Sequence, residues 1–144
     1  MYTPISQIQP IVKYTRGTVI VDAADGSQTV LSSAAFYVIK ARHYAGSWTL
    51  APAATMASDI FHIVSLSRAR RRDFIRFLVT VALGRDPARL AFVQSLPAHR
   101  LTIAAEDEPS RLAAFQVDGD VMPVQAREIR MSEAAVTYCL PLPE

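Results

Sequence analysis

Hydrophobic and polar residues alternate along most of the chain, which is the pattern of short β-strands that bury one face. The segments GTVIVDA (17–23) and QTVLSS (28–33) flank an Asp25-Gly26 pair. Asp-Gly between alternating segments predicts a hairpin with a type I′ turn, because glycine tolerates the positive φ that this turn requires. Further strands are predicted at AAFYVIKARHY (34–44), TLAP (49–52), IFHIVSL (60–66), RLTIAAE (100–106), AAFQVD (113–118), AREIRM (126–131) and AVTYCLP (135–141). Short strands with turns at this regular spacing predict a β-sandwich or a β-barrel.

One segment, SRARRRDFIRFLVTVALG (67–84), departs from this alternation and has the period of a helix. Its apolar stripe consists of Phe74, Ile75, Phe77, Leu78, Val81 and Ala82. Ser67 is placed to cap the helix N-terminus with its hydroxyl, and Gly84 follows the C-terminus, where a left-handed residue is common. We therefore predict a mainly β protein with one long helix from about Ser67 to Leu83.

Length and composition limit the class of protein. With 144 residues, of which 51% are hydrophobic and 19% charged, the chain is long enough for one domain and too apolar to be disordered. A net charge of +2 is too small to argue for nucleic acid by itself. The single cysteine, Cys139, cannot form an intramolecular disulfide and is typical of a reducing cytoplasm. The sequence contains neither a signal-peptide pattern nor the run of about 18 apolar residues that a membrane-spanning helix needs.

Arginines crowd the start of the predicted helix. They are Arg68, Arg70, Arg71, Arg72 and Arg76, with only Asp73 to offset their charge. One interpretation is contact with an anionic lipid surface or with phosphate groups, through Arg68 and the three arginines at 70–72. The simpler interpretation is a solvated helix face, although basic residues at a helix N-terminus oppose the macrodipole. Nucleic acid is disfavoured, because the nearby aromatic residues belong to the apolar stripe.

No motif for phosphate or zinc binding is present in the sequence. The five glycines are too far apart for a glycine-rich phosphate loop, and the three histidines lack the spacing of zinc ligands. The remaining candidate is Asp118-Gly119-Asp120, which lies between two apolar runs in AAFQVDGDVMPV (113–124). Two close carboxylates can bind Mg²⁺, or act as a base and a metal ligand. On these residues alone, a plain hairpin turn is the favoured interpretation.

The order of three longer segments resembles the C-terminal domain of the diacylglycerol-kinase-like lipid kinases, a family that includes bacterial lipid kinases, sphingosine kinases and relatives of NAD kinase. The segments are FYVIKARHYAGSWTLAPAA (36–54), SDIFHIVSLSRARRRDFIRFLVTVALG (58–84) and FQVDGDVMPVQAREIRMSEAAVTYCLP (115–141). The resemblance implies an antiparallel β-sandwich over residues 17–144, with residues 1–16 as a lead-in or linker. The family's nucleotide-binding domain, with its GGDGT motif, is absent from this sequence.

The resemblance also assigns roles to residues. Asp118 matches the aspartate that is taken as the catalytic base in bacterial members, beside the nucleotide and Mg²⁺. Gly119 and Asp120 then lie on the nucleotide and metal side, although the family usually has glutamate where this chain has Asp120. Some bacterial members bind a structural Mg²⁺ near an acidic residue followed by glycine. Here that loop reads Ser58-Asp59-Ile60, which gives Asp59 as a metal ligand on an incomplete motif.

Together these matches imply the substrate-side domain of a cytoplasmic, ATP-dependent lipid kinase that phosphorylates a hydroxyl of diacylglycerol or a similar lipid. ATP and Mg²⁺ would be the cofactors, bound mostly by the missing domain, and this chain alone would be inactive. The expected partners are a lipid substrate, the anionic inner face of the membrane and a second copy in a homodimer, with no nucleic acid. Two rivals stay open: a non-catalytic lipid- or protein-binding module, and a kinase for a soluble substrate.

Overall fold

The computed structural model describes residues 17–43, 47–68, 70–103, 115–117, 120–122 and 128–132. In chain order the elements are β1 (Gly17–Ala23), β2 (Gln28–Ser33), β3 (Ala35–Ile39), β4 (Phe61–Leu66), the helix α1 (Arg71–Ala82), a 3₁₀ turn (Pro87–Arg89), β5 (Val93–Ile103), β6 (Phe115–Val117), β7 (Asp120–Met122) and β8 (Glu128–Arg130). Every strand pair in the described part of the chain is antiparallel. The predicted fold class is confirmed: a mainly antiparallel β structure with one long helix, consistent with a β-sandwich-like domain.

Strand β5 organises the larger sheet. This sheet has six strands in the order β2-β1-β5-β4-β3, with β8 also paired to β5, while β6 and β7 form a separate two-stranded sheet. Residues 93–98 of β5 pair with β4, and residues from Ala98 onward pair with β1. The strand β8 pairs with residues 100–102, beyond the end of the β4 ladder. The long β5 therefore pairs with β4 along its first half and with β1 and β8 along its second half.

A bulge near the middle of β5 lets it serve both groups. Asp22 of β1 lies opposite Arg100, but the next residue, Ala23, lies opposite Ala98, so β5 carries one extra residue here. Because a bulge shifts the alternation of side chains, Ala98 and Leu101 both face the same buried cluster. This placement would be impossible in a regular strand, where residues three apart point to opposite faces.

The predicted strand began only at Arg100, whereas β5 begins at Val93 and includes Pro97, a residue that usually interrupts strands. The structure shows why proline is tolerated here. The carbonyl oxygen of Pro97 accepts a hydrogen bond from the Ala24 amide at 3.1 Å, so that edge of the residue faces the β1–β2 hairpin. The β1 ladder begins one residue later, at Ala98, and the missing amide of Pro97 therefore interrupts no ladder bond.

Two hydrophobic clusters lie on opposite faces of the sheet, and β4 contributes to both. Val64 and Leu66 face one cluster, while Phe61 and Ile63 face the other, as the period of two requires. The first cluster is covered by α1 through Phe77 and Val81, each 1% exposed. All six residues of β4 are buried, so this strand is covered on both faces. Full burial of each large apolar side chain stabilises the fold by roughly 1.5–3 kcal/mol.

The β1–β2 hairpin has its predicted strands but a different turn. The Ala23 amide donates to the Ser27 carbonyl at 2.8 Å, and the Gly26 amide donates to the Ala23 carbonyl at 3.0 Å. Gly26 has a φ of 83°. This is the pattern of a three-residue loop, a β-turn followed by a left-handed glycine, so the prediction of a two-residue type I′ turn was wrong at Asp25-Gly26.

The helix α1 ends as predicted but begins later. The Gly84 amide donates to the carbonyl oxygen of Val81 at 2.9 Å, and the Arg85 amide donates to that of Thr80 at 3.0 Å. With Gly84 at a φ of 66°, these two bonds form a Schellman motif. The N-cap position belongs to Arg70, not to Ser67. Ser67 is engaged elsewhere, since both its amide and its hydroxyl donate to the Phe92 carbonyl.

Other strand predictions were partly right. The predicted strand 34–44 is confirmed only over Ala35–Ile39, and no strand forms at 49–52. The predicted strand at 135–141, with Cys139, lies outside the described residues. In the part of the chain that the structure describes, no helix is both long enough and apolar enough to cross a membrane.

Candidate functional site

The small sheet of β6 and β7 contains the Asp118-Gly119-Asp120 motif. Val117 lies opposite Asp120 in an antiparallel pair, so two residues connect the strands and the predicted hairpin is confirmed. Asp118 and Gly119, the connecting residues, lie outside the described residues. Asp120 is the first residue of β7. The catalytic role predicted for Asp118, and the nucleotide and metal roles of Gly119 and Asp120, stay predictions.

The two Asp-Gly pairs of the chain differ in their connections. Asp118-Gly119 joins strands whose register leaves two residues between them, whereas Asp25-Gly26 belongs to the three-residue loop. The Asp25 carboxylate accepts hydrogen bonds from the hydroxyl and the amide of Ser27, at 2.6 and 2.9 Å. These bonds, with the hydroxyl as the larger cause, hold the pKa of Asp25 below its ordinary value of 3.8. Asp25 is thus engaged within its own turn, as expected for a structural residue.

The loop before β4 is held by Lys40, a residue that the sequence analysis did not single out. The Lys40 ammonium group donates hydrogen bonds to the carbonyl oxygens of Ser58 and Ile60, the second at 2.9 Å. It also lies 3.4 Å from the Ser58 hydroxyl oxygen. A lysine directly after the apolar run YVI was the available sequence signal, but nothing local indicated partners 18 and 20 residues away.

Asp59 lies between these two carbonyl groups and is exposed. Carbonyl oxygens beside an acidic residue are suitable ligands for Mg²⁺. Here the carbonyl groups on both sides of Asp59 already accept hydrogen bonds from an ammonium cation, so they do not fit a metal site while Lys40 is in place. No group of three or more histidine, cysteine or acidic side chains within metal-binding reach occurs among the described residues. Metal binding by Asp59 stays a prediction.

Two open clefts share the residues Pro52 and Ala53 of the same loop. The larger, of about 590 Å³, is bordered by Arg42 and His43. The smaller, of about 300 Å³, is bordered by His62, Asp86 and Ser95. The loop 51–60 therefore has polar and charged groups on both sides, and Lys40 fixes its C-terminal end.

His62 borders the smaller cleft and is buried within the sheet. It lies on β4, is 9% exposed, and is paired in register with Ile39 and Pro97. Burial, followed by the positive charge of Lys40, holds the pKa of His62 below its ordinary value of 6.5. The imidazole is therefore neutral at pH 7, when it can accept or donate a hydrogen bond without carrying charge.

The predicted arginine cluster lies in the first turns of α1 and just before it, and its contact with a membrane or with phosphate stays a prediction. The guanidinium carbon of Arg68 lies 5.9 Å from the centre of the Phe92 ring, in a cation–π contact. Arg70 precedes the helix, and Arg71 and Arg72 occupy its first turn; all three are exposed. Asp73 does not offset their charge at the surface, because it is 4% exposed and lies on the buried face of α1.

Comparison with known proteins identifies the domain type. A family model described as YegS C-terminal NAD kinase beta sandwich-like domain matches residues 2–139. The match covers nearly the whole chain and includes every described element. It begins ahead of the boundary predicted at residue 17, so the division into a lead-in and a domain stays a prediction. No curated protein and no solved structure matched the sequence.

Proposed function

Because the chain belongs to the family of YegS C-terminal NAD kinase β-sandwich-like domains, a lipid kinase family, we propose that it is the substrate-side domain of an ATP-dependent lipid kinase. The proposed reaction transfers a phosphoryl group to a hydroxyl of diacylglycerol or a similar lipid. The single observation that supports this most is the family match over residues 2–139, within which the Asp118-Gly119 connection joins two paired strands.

Asp118 is the proposed general base. Phosphoryl transfer needs positioning, charge neutralisation and a group that accepts the proton of the attacking hydroxyl. The support for Asp118 in this role is its match to the family's catalytic aspartate, together with the pairing of Val117 and Asp120, the residues on either side of Asp118-Gly119. In this proposal the lipid hydroxyl oxygen attacks the γ-phosphorus of ATP while Asp118 accepts the hydroxyl proton. The bond between the γ-phosphorus and the bridging oxygen breaks, and ADP leaves with its electron pair.

Mg²⁺ would neutralise charge on the phosphate groups during this step. Asp120 is the residue of this chain proposed to face that charge, because it begins β7 next to Asp118-Gly119. Asp59 is the weaker candidate, since the carbonyl groups beside it bind the Lys40 ammonium. The sequence has no glycine-rich phosphate loop, so the nucleotide would be bound mostly by a separate domain.

The rival function is a non-catalytic lipid- or protein-binding module. One observation favours it: in the loop 51–60 a lysine takes the oxygens beside Asp59 that a metal would otherwise use. This observation concerns only the loop 51–60, and we therefore keep the kinase as the main proposal.

The test follows labelled phosphate from ATP to diacylglycerol in mixed micelles, and to glycerol in solution. It compares this chain alone with the chain together with the nucleotide-binding domain that accompanies it in its own cells, on the same polypeptide or another. We expect lipid phosphorylation only with the second domain present. Phosphate on glycerol alone would favour a kinase for soluble substrates, and no transfer in any arm would favour the binding module. Transfer by this chain alone would contradict the division of roles.

A further inference from the structure

The outward face of α1 is apolar as well as basic. Ile75, Val79 and Leu83 expose 60%, 51% and 62% of their surface. Residues four apart lie one helical turn above each other, so these three form one ridge along the helix, with Leu83 at its C-cap. Among the helices and strands whose side-chain exposure the structure describes, only α1 has more than one exposed large hydrophobic side chain. The sequence analysis had placed Ile75 on the buried stripe, which was wrong.

The same face carries positive charge without a carboxylate. Arg71 lies one turn before Ile75 and extends the ridge toward the helix N-terminus. Arg72 and Arg76 lie one turn apart from each other, directly beside the ridge. All three are exposed, and none forms an ion pair with a residue that the structure describes. The only acidic residue of α1, Asp73, is 4% exposed and lies on the opposite, buried face. The outward face therefore attracts anions.

Neither folding nor solubility accounts for this composition. The core is covered by the other face of α1, where Phe77 and Val81 are each 1% exposed and the Phe77 ring stacks on Tyr37 with centroids 5.7 Å apart. The arginines oppose the helix macrodipole, so they do not stabilise the helix N-terminus. A single exposed apolar residue is ordinary, but a ridge bordered by arginines is the pattern of a helix that lies in a membrane interface.

We propose that the outward face of α1 binds the surface of an anionic phospholipid bilayer. Ile75, Val79 and Leu83 would enter the boundary between headgroups and acyl chains, while the guanidinium groups of Arg71, Arg72 and Arg76 contact lipid phosphates. A helix of 12 residues is roughly 18 Å long, enough to lie along the interface and too short to cross the apolar core of about 30 Å. This role does not depend on phosphoryl transfer, since it uses no residue of the β6–β7 hairpin.

The experiment measures sedimentation of the full chain with vesicles of phosphatidylcholine, with and without phosphatidylglycerol, and needs no ATP. Two matched pairs of variants locate the surface. Val79→Glu on the ridge is compared with Val30→Glu, an exposed valine of β2 with 63% of its surface accessible. Arg72→Gln on the helix is compared with Arg130→Gln, an exposed arginine of β8. Circular dichroism confirms that each variant is folded.

We expect binding to anionic vesicles to exceed binding to neutral ones and to weaken as salt is added. Val79→Glu should lower the vesicle affinity roughly tenfold or more, because it places a carboxylate in the apolar and anionic interface. Arg72→Gln should lower it roughly fivefold, the usual effect of one basic residue near an anionic surface. Both control variants should bind as the wild type does.

Equal binding to the two vesicle types, or none, would overturn the proposal, as would equal losses in Val79→Glu and Val30→Glu. Two other occupants of the face give distinct results. A second copy of the chain would appear as a dimer in light scattering that Val79→Glu converts to a monomer, without vesicle binding. An acidic protein partner would likewise leave the vesicles unbound. Should Val79→Glu fail to fold, Arg72→Gln against Arg130→Gln still decides the matter.

Discussion

The ammonium nitrogen of Lys40 and the carbonyl oxygen of Ile60 lie 2.9 Å apart, and this contact joins the end of β3 to the residue before β4. The same ammonium group donates to the carbonyl of Ser58. One lysine therefore fixes the C-terminal end of the loop that borders both clefts. The carbonyl oxygens of Ser58 and Ile60 carry partial negative charges that repel each other, and the ammonium group offsets this repulsion.

Lys40→Met should loosen this loop while keeping most of the side chain's length. Hydrogen bonds from a charged donor contribute about 1.5–3 kcal/mol, and the half-buried position of Lys40 points to the lower end, about 1.5 kcal/mol. Chemical denaturation measures the loss in the free energy of unfolding, and limited proteolysis between residues 51 and 60 should become faster.

Arg100→Met is the control for Lys40→Met. Arg100 lies 3.9 Å from Asp22 and 3.8 Å from Glu128, with half of its side chain exposed, so its ion pairs are screened by water. We expect this variant to lose less than about 0.5 kcal/mol. Equal losses in the two variants would show that the Lys40 contacts do not hold the loop.

His62 should make stability depend on pH. Its pKa is lowered in the folded state from 6.5 by burial and then by the charge of Lys40, so the unfolded chain takes up a proton first as pH falls. Stability is therefore complete above pH 6.5 and decreases as pH falls through 6.5 toward the lower folded-state pKa. One proton contributes at most about 1.4 kcal/mol per pH unit.

Thermal unfolding at pH 7.5 and at pH 5.5, roughly one unit on either side of the reference histidine pKa, measures this effect. His62→Gln should flatten the dependence over this range, because it removes the buried imidazole. If the wild type and His62→Gln lose the same stability on acidification, burial of His62 is not the cause. The charged groups near His62 are Lys40, which follows β3, and Asp86, which borders the smaller cleft together with His62.

Gly26 should be required by its backbone conformation alone. Nothing lies within 4 Å of a Cβ built at this position, but its φ of 83° is left-handed. Gly26→Ala should therefore cost about 1–2 kcal/mol without any steric clash. Gly17→Ala is the matched control, because Gly17 has equal space and no left-handed φ. A Gly26→Ala variant as stable as Gly17→Ala would contradict the three-residue loop.

The elements that the sequence predicted well are those fixed by local interactions. The strands 17–23 and 28–33 were predicted to the residue, because both are rich in β-branched residues and flank a turn that contains glycine. Gly84 ends α1 through local hydrogen bonds, since its amide and that of Arg85 donate to the carbonyl groups of Val81 and Thr80 in the last turn of the helix.

The elements that it missed depend on distant contacts. Ser67 was expected to cap the helix, but Phe92, 25 residues away, takes its hydrogen bonds. The first half of β5 was missed because it contains Pro97. This proline fits the strand only because the pairing of β5 with β1 begins at the next residue, Ala98. Lys40 was missed for the same reason, since its partners are 18 and 20 residues away. Periodicity cannot show such pairings, and the role of Asp118 rests on family resemblance.

The most direct test of the account is Asp118→Asn beside Asp25→Asn, in the chain combined with its nucleotide-binding domain. Asparagine keeps the size and the turn preference of aspartate, so neither substitution should change thermal unfolding appreciably. A side-chain amide at position 118 cannot accept the hydroxyl proton, and we predict that phosphate transfer to diacylglycerol falls about 10²–10⁴-fold in Asp118→Asn, with Asp25→Asn near the wild type. Near-wild-type transfer by Asp118→Asn, or an equal loss in both variants, would contradict the catalytic role of Asp118.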